Sequence, residues 1–386
     1  MTSHKRLLLI SSNSSARGGG ERYLVYLTEG LRSLGHRVDV LLSDLNYMDG
    51  WAQSLSTVGA QVHRRSLIGL RHRPLRFVQS IHDHSQIASI AAACREIEPD
   101  AILVNQQYDE DGLDYLAGAL ASQTAPVGGL MHMPMTRDKH KRPLGSLRSK
   151  LLASWYQRHP YRLMLVAQGG QEEFEQFYSH PRPTFVVHYG IPIRQNPAPD
   201  DSPHSVWADS LPVIGFVGQL VPQKNLSLLI EGWLKARIAG AHCRLLLIGD
   251  GPERIAIEER LQREVPADAW HITGWVSAPE AFFPSVSIYA MTSHFEGLPL
   301  SLLEAAGRGL PSIVTNFNGA SDVVERAPWV RVIPSADPES VSRAILSALK
   351  DLPELQALAT RGQNGFRAYF SVERMAKDTV IALGLT

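Results

Sequence analysis

Short apolar runs alternate with stretches of helical spacing along this chain, and the alternation occurs in two successive blocks. In the first block, residues 7–11, 38–43, 101–105, 127–131, 163–167 and 185–188 read as strands, with helical patterns such as 21–34 and 77–97 between them. Strands separated by helix-length amphipathic segments predict a parallel sheet covered by helices on both faces. The pattern then breaks at Gln195 to Pro203, where three prolines and no apolar periodicity predict a linker. After it come strand patterns at 213–217, 244–248, 288–291 and 312–315, with helices starting near Asn225, Glu253, Pro299 and Pro338. At 386 residues the chain is too long for one ordinary core. The prediction is an α/β protein of two Rossmann-like, doubly wound domains. Residues 1–195 form the first, 196–210 the linker and 211–370 the second, and 371–386 form a C-terminal helix packing back toward the first. Ligands of such sheets bind at the carboxyl ends of the strands, so a cleft between the domains is the expected site.

Charge excludes some functions. Lys+Arg and Asp+Glu are both 38, which gives no drive toward bulk nucleic-acid binding. The balance is uneven: residues 1–200 carry 22 basic and 18 acidic side chains, and residues 201–386 carry 16 and 20. Cys94 and Cys243 are the only cysteines, which argues against a disulfide framework or a cysteine-built metal site. The segment from Met1 to Ile10 is too short for a secretory signal, and no apolar run has the length of a membrane span. A cytoplasmic location is expected.

The densest chemistry lies between His294 and Ala306. Pro299 suits the first position of a helix, where its missing N–H costs nothing. The free amides in the stretch Gly297-Leu298-Pro299-Leu300-Ser301 then leave a helix start that favours an anion. Glu296 and Glu304 bracket it, and carboxylates accept hydrogen bonds from sugar hydroxyls. A capped helix with acidic neighbours explains the same residues without a ligand. Three glycine loops follow strands: Gly18, Gly19 and Gly20; Gly218 to Lys224, with Gln219; and Gly249, Asp250 and Gly251. Glycine permits close backbone approach to a bound group, although plain turns also account for these loops. Lys224, just before a helix start, is electrostatically misplaced unless it faces a phosphate, an attraction of about 4 kcal/mol at 4 Å and an effective dielectric near 20. A solvated loop lysine is the alternative, and Asp250 is alternatively a helix cap. His132 ends a strand, where a neutral imidazole can donate to a sugar hydroxyl or phosphate oxygen, or serve structurally. His82, Asp83 and His84 fall on different faces of a helix and predict no metal site.

Taken in order, these segments, with Gly274-Trp275-Val276 and Gly309-Leu310-Pro311, resemble the family 4 glycosyltransferases of the GT-B fold. The resemblance covers nearly the whole chain and is densest from 212 to 326. It implies a retaining transfer of a sugar from a nucleotide-diphosphate donor without a bound metal or other cofactor, the nucleotide sugar being a substrate. It implies that Lys224 contacts the diphosphate, Glu304 the ribose and Glu296 the donor sugar. It places the amides of Gly297, Leu298 and Pro299 on sugar or phosphate, His132 near the transferred sugar, and Trp275 and Val276 on the base through backbone contacts. His132, Lys224 and Glu296 are the expected catalytic residues.

Three positions depart from the family. Gln219 replaces its usual arginine, with Arg17 and Arg22 as candidate substitutes. Tyr189-Gly190-Ile191 replaces asparagine-glycine-valine, and Ala167-Gln168-Gly169 lacks a serine. Eight basic residues and one acid, Asp138, lie between Arg137 and Arg162, among Leu144, Leu147, Leu151, Leu152 and Trp155 at helical spacing. The acid-free basic stretch 64–76 adds to them. A helix of this kind either packs on the core or lies on the inner face of an anionic membrane, which would suit a lipid-linked acceptor. The expected product is a cell-envelope or exported glycan. A nucleotide-sugar 2-epimerase, which needs no acceptor, and a non-catalytic donor-binding protein are the competing readings.

Overall fold

The computed structural model describes residues 4–11, 18–69, 81, 83–134, 145–192, 206–207 and 209–385. The chain divides into two compact units, residues 1–192 with 370–386, and residues 193–369.

The first unit is built on a seven-stranded parallel sheet of order β3-β2-β1-β4-β5-β6-β7. Its strands are β1 (Arg6–Ser11), β2 (Arg37–Ser43), β3 (Gln61–Arg65), β4 (Ala101–Tyr108), β5 (Val127–Met133), β6 (Arg162–Leu165) and β7 (Phe185–Val186). The central strands are continuous apolar runs because both sheet faces are covered; Leu7, Leu8, Leu9 and Ile10 are all fully buried. The helices are α1 (Gly19–Ser33), α2 (Asp49–Thr57), α3 (His84–Ile97), α4 (Leu113–Ser122), α5 (Gly145–Arg158) and α6 (Gln168–Phe177). Asp83 caps α3 by accepting the Gln86 amide at 3.1 Å. Residues 77–80 and 82 of that predicted helix lie outside the described residues.

The final helix, Val372–Ala382, belongs to this first unit and packs on α1. Gly30 makes the fit possible, since a Cβ there would lie 2.2 Å from the Val372 carbonyl oxygen. The Ile191 amide donates to the Phe370 carbonyl at 2.7 Å, which ties the returning chain to the segment after β7.

The second unit has a six-stranded parallel sheet of order β10-β9-β8-β11-β12-β13. Its strands are β8 (Val213–Val217), β9 (Arg244–Ile248), β10 (Trp270–Ile272), β11 (Ile288–Met291), β12 (Ser312–Val314) and β13 (Val330–Val332). Its helices are α7 (Leu226–Ile238), α8 (Arg254–Glu264), α9 (Leu300–Gly307), α10 (Ala320–Val324), α11 (Pro338–Lys350) and α12 (Leu352–Tyr369). In both sheets the order reverses beside the first strand, β1 or β8, which opens a crevice at the carboxyl edge.

Two expectations change. Pro299 is not the first helical residue; it is the extended cap residue before Leu300, with ψ 123°. The apolar stripe of α5 is split between core and solvent. Leu152, Trp155 and Tyr156 are buried in the core of the first unit, whereas Leu147 and Leu151 are about half exposed. Arg148 pairs with Glu110, and in the other basic stretch Arg64 pairs with Asp49 and Arg65 with Glu96, so these charges are spent within the molecule. The segments 70–76 and 135–144 lie outside the described residues. No helix among the described residues is long and apolar enough to cross a membrane.

Candidate functional site

In the second unit, two loops at the carboxyl edge of the sheet are laced together. The chain leaves β8 through Gly218, makes a short 3-10 turn at Pro222–Lys224, and reverses at Asn225, whose φ of 49° is left-handed. Asparagine tolerates this conformation better than most residues. Thr292, just past β11, donates to the Asn225 carbonyl at 3.0 Å, and the His294 amide donates to the Gln223 carbonyl at 2.9 Å. Gln223 returns a bond to the Phe295 carbonyl at 3.0 Å.

This lacing brings Lys224 and Glu296 together. The Lys224 ammonium donates to Glu296 Oε1 at 2.5 Å, and the two side chains are only 17% and 8% exposed. Glu304, the other predicted carboxylate, is buried on the short helix α9. Burial of Tyr289 on β11, and secondarily the field of both glutamates, raises its hydroxyl well above the usual range. That hydroxyl shares a 2.9 Å hydrogen bond with Ser301. Gly297, Leu298, Pro299 and Leu300 are all buried around the start of α9. Gly319, which follows β12, closes on this segment; a Cβ there would lie 2.4 Å from the Gly297 carbonyl oxygen.

The glycine loop after β9 packs against the loop after β8. Gly249 has φ 146°, and a Cβ on it would lie 1.9 Å from the Gly218 carbonyl oxygen, so no side chain fits. Asp250 is exposed and does not cap α8, whose cap residue is Glu253; its carboxylate accepts the Gly251 amide at 2.8 Å and lies 3.5 Å from Arg254. Trp275 is more than half exposed and Val276 is half-buried. Gln219 is exposed. Of its two proposed substitutes, Arg17 lies outside the described residues. Arg22 is turned to the Tyr26 hydroxyl, to which it donates at 2.8 Å.

In the first unit, Gly18, Gly19 and Gly20 open α1, and Glu21 accepts the Gly18 amide at 3.0 Å. His132 is the penultimate residue of β5, at the strand end as expected, and is buried at 3% exposed. Its Nδ1 shares a hydrogen bond with the Tyr189 hydroxyl, and its Nε2 is buried without a partner among the described residues. Burial pushes the imidazole down to about 3, so it is neutral at physiological pH. A Cβ on Gly20 would come within 2.9 Å of this Nε2 and 3.1 Å of Gln107 Oε1.

The structure therefore brings Lys224, Glu296, Glu304 and residues 297–300 together in one unit, and His132 and Gly20 in the other. Tyr289, Gly319 and Gln107 were not read from the sequence as site residues. The polar run Asn105-Gln106-Gln107, ending an otherwise apolar strand, was the available signal. Among the described residues no three His, Cys, Asp or Glu side chains gather as metal ligands.

Comparison with known proteins settles the lineage. Residues 18–190 match the family model described as glycosyl transferase 4-like domain, and residues 211–351 match that for glycosyl transferases group 1. The chain belongs to the family 4 glycosyltransferases. Among its relatives, the amylovoran biosynthesis glycosyltransferase AmsD of Erwinia amylovora is 33% identical over 30% of this chain and 32% of its own. The lipopolysaccharide core biosynthesis glycosyltransferase LpsD of Rhizobium meliloti is 28% identical over 46% of this chain and 50% of its own. The chain thus aligns with about a third to a half of the length of these curated relatives. Among solved structures, HepE of Anabaena, in complex with UDP and glucose, superposes with a TM-score of 0.75 at 16% identity, covering 99% of this chain and 100% of that one. The fold class of this family 4 member is GT-B.

Proposed function

We propose that this chain is a retaining glycosyltransferase that moves a sugar from a nucleotide-diphosphate donor to a glycan or lipid-linked acceptor, in cell-envelope or exopolysaccharide synthesis. The observation that carries this reading is the part-buried Lys224–Glu296 pair beside the Gly297–Leu300 turn, with Glu304 on the helix that follows. A cation and a helix start suit a diphosphate, and two carboxylates suit sugar hydroxyls. The names of AmsD and LpsD support a polysaccharide product, and HepE with UDP and glucose supports a nucleotide-sugar donor.

In the proposed reaction the bond from the anomeric carbon to the β-phosphate oxygen breaks with oxocarbenium-like charge. The acceptor oxygen then bonds to the same carbon from the same face, and its proton passes to the departing phosphate. Lys224 and the amides at the start of α9 stabilise the charge that grows on the leaving group, the work a metal ion does in other enzymes. Glu296 orients the sugar, Glu304 the ribose, and His132 supplies a neutral hydrogen-bonding group to the sugar. The backbone at Trp275 and Val276 holds the base. The half-exposed Leu147 and Leu151 on α5 provide peripheral attachment to an anionic membrane, with Lys150 beside them as the basic contact.

A thermal-shift panel of UDP, GDP, ADP and their sugars tests the donor site. Lys224→Ala and Glu304→Gln should each weaken the response to the best nucleotide, and unchanged shifts in both would refute the assignment. Transfer should persist after EDTA treatment.

A further inference from the structure

Tyr189 stands where the family usually has asparagine, and the structure gives it a partner in His132. We propose that the Tyr189 hydroxyl is a positioning group that donates to His132 Nδ1, fixes the imidazole in the tautomer protonated at Nε2, and so presents an N–H donor toward the start of α1. This proposal rests on His132 acting on the donor as described above.

The geometry supports it in three ways. First, Tyr23, His132 and Tyr189 pack as a triad, with ring centroids 5.0–5.5 Å apart, so the imidazole cannot turn freely. Second, among the described residues the ring's one hydrogen bond is at Nδ1, and the other nitrogen is buried with no partner among them. An unsatisfied buried polar atom costs about 1–3 kcal/mol, a cost a protein carries when a ligand completes the bond. Third, this nitrogen points at Gly20 in the first turn of α1, and any larger residue there would press against it.

The direction of the hydrogen bond follows from acidity and field. A phenol is a good donor and an imidazole nitrogen lone pair a good acceptor, so the proton of the shared bond belongs on Tyr189. The positive end of α1 opposes an imidazolium and keeps the ring neutral, as burial does. A neutral ring whose Nδ1 accepts carries its single proton on Nε2. Asparagine at position 189 has a shorter side chain and lacks the ring that packs on Tyr23, so it would not form this contact in the same way.

Two measurements test the proposal. The first is nitrogen NMR of the full chain labelled with 15N-histidine, His132 being identified by subtraction of a His132→Asn sample. The signals expected are a bare Nδ1 and a protonated Nε2 that do not titrate between pH 5 and 8, and loss of the single-tautomer pattern in Tyr189→Phe. That variant keeps the aromatic ring and hence the packing. A wild-type ring protonated at Nδ1, or a pattern unchanged in Tyr189→Phe, overturns the proposal whether or not transfer is ever observed. The second is kinetic. Tyr189→Phe should lower kcat about tenfold with little change in donor KM, and should have no further effect in a His132→Ala background. An equal tenfold loss in that background would show that Tyr189 does not act through His132.

Discussion

The contact between Lys224 and Glu296 makes a quantitative prediction. At 2.5 Å and an effective dielectric near 20, the bare attraction is about 7 kcal/mol. Desolvation takes back most of it, so the net contribution of the pair is small. Breaking it is different, because removing one partner strands the other in a site where it is 17% or 8% exposed. Such stranding costs about 3–5 kcal/mol, and the residual exposure favours the lower end. For a unit of this size each kcal/mol moves the melting point by about 2–4 °C, so Lys224→Met and Glu296→Gln should each melt about 6–12 °C lower. The double variant removes both charges and should melt no lower than the worse single, a coupling of about 3 kcal/mol. Calorimetric melting of the four proteins reads this directly, and additive losses would show that the pair is not formed in solution. Ligand binding provides a second arm. Glu296→Gln releases Lys224, so it should bind a bare nucleoside diphosphate at least as tightly as the parent protein and lose about tenfold in affinity for the sugar nucleotide. Lys224→Met should lose both. Equal losses of both ligands in Glu296→Gln would refute the division of labour between the two residues.

Other predictions follow from single features. His132 is held neutral down to about pH 3, whereas in the unfolded chain it titrates near 6.5. Its contribution to stability is therefore fully present above pH 6.5 and declines as pH falls toward 3, with a slope of at most about 1.4 kcal/mol per pH unit; His132→Asn should flatten acid unfolding in that window. Gly249→Ala puts a methyl group against the Gly218 carbonyl and should cost about 3 kcal/mol or more in urea unfolding, together with the response to nucleotide. Leu147→Ser with Leu151→Ser should abolish co-sedimentation with anionic liposomes at low salt and leave the melting point near that of the parent, since both side chains face solvent.

The central strands of both sheets were legible because each is a closed apolar run bounded by turn residues. Of the edge strands only β7 was, within the run 185–188; β3, β10 and β13 were not. Gln61 to Arg65 holds one aliphatic residue among polar ones, and β10 and β13 have three residues each, so their pairing is dictated by neighbours rather than by their own pattern. In the site, Glu296, Glu304 and Lys224 were legible as residue types at a spacing. That Lys224 meets Glu296 was not, because the contact depends on Thr292, His294 and Gln223 fastening two loops about seventy residues apart. The burial of His132 was equally hidden. It comes from Tyr23, a residue of α1, and from Tyr189, which the sequence showed only as a departure from its family.

The first unit is discontinuous in sequence, its last helix following the whole of the second. At a synthesis rate of 5–20 residues per second, translating residues 193–369 takes roughly 10–35 s. Throughout that interval the notch at Gly30, shaped to receive Val372, has no cover from its own chain. The nascent first unit thus carries an open apolar seam on the ribosome, and any premature stop before residue 370 would leave that seam permanently bare for chaperones or other chains to find.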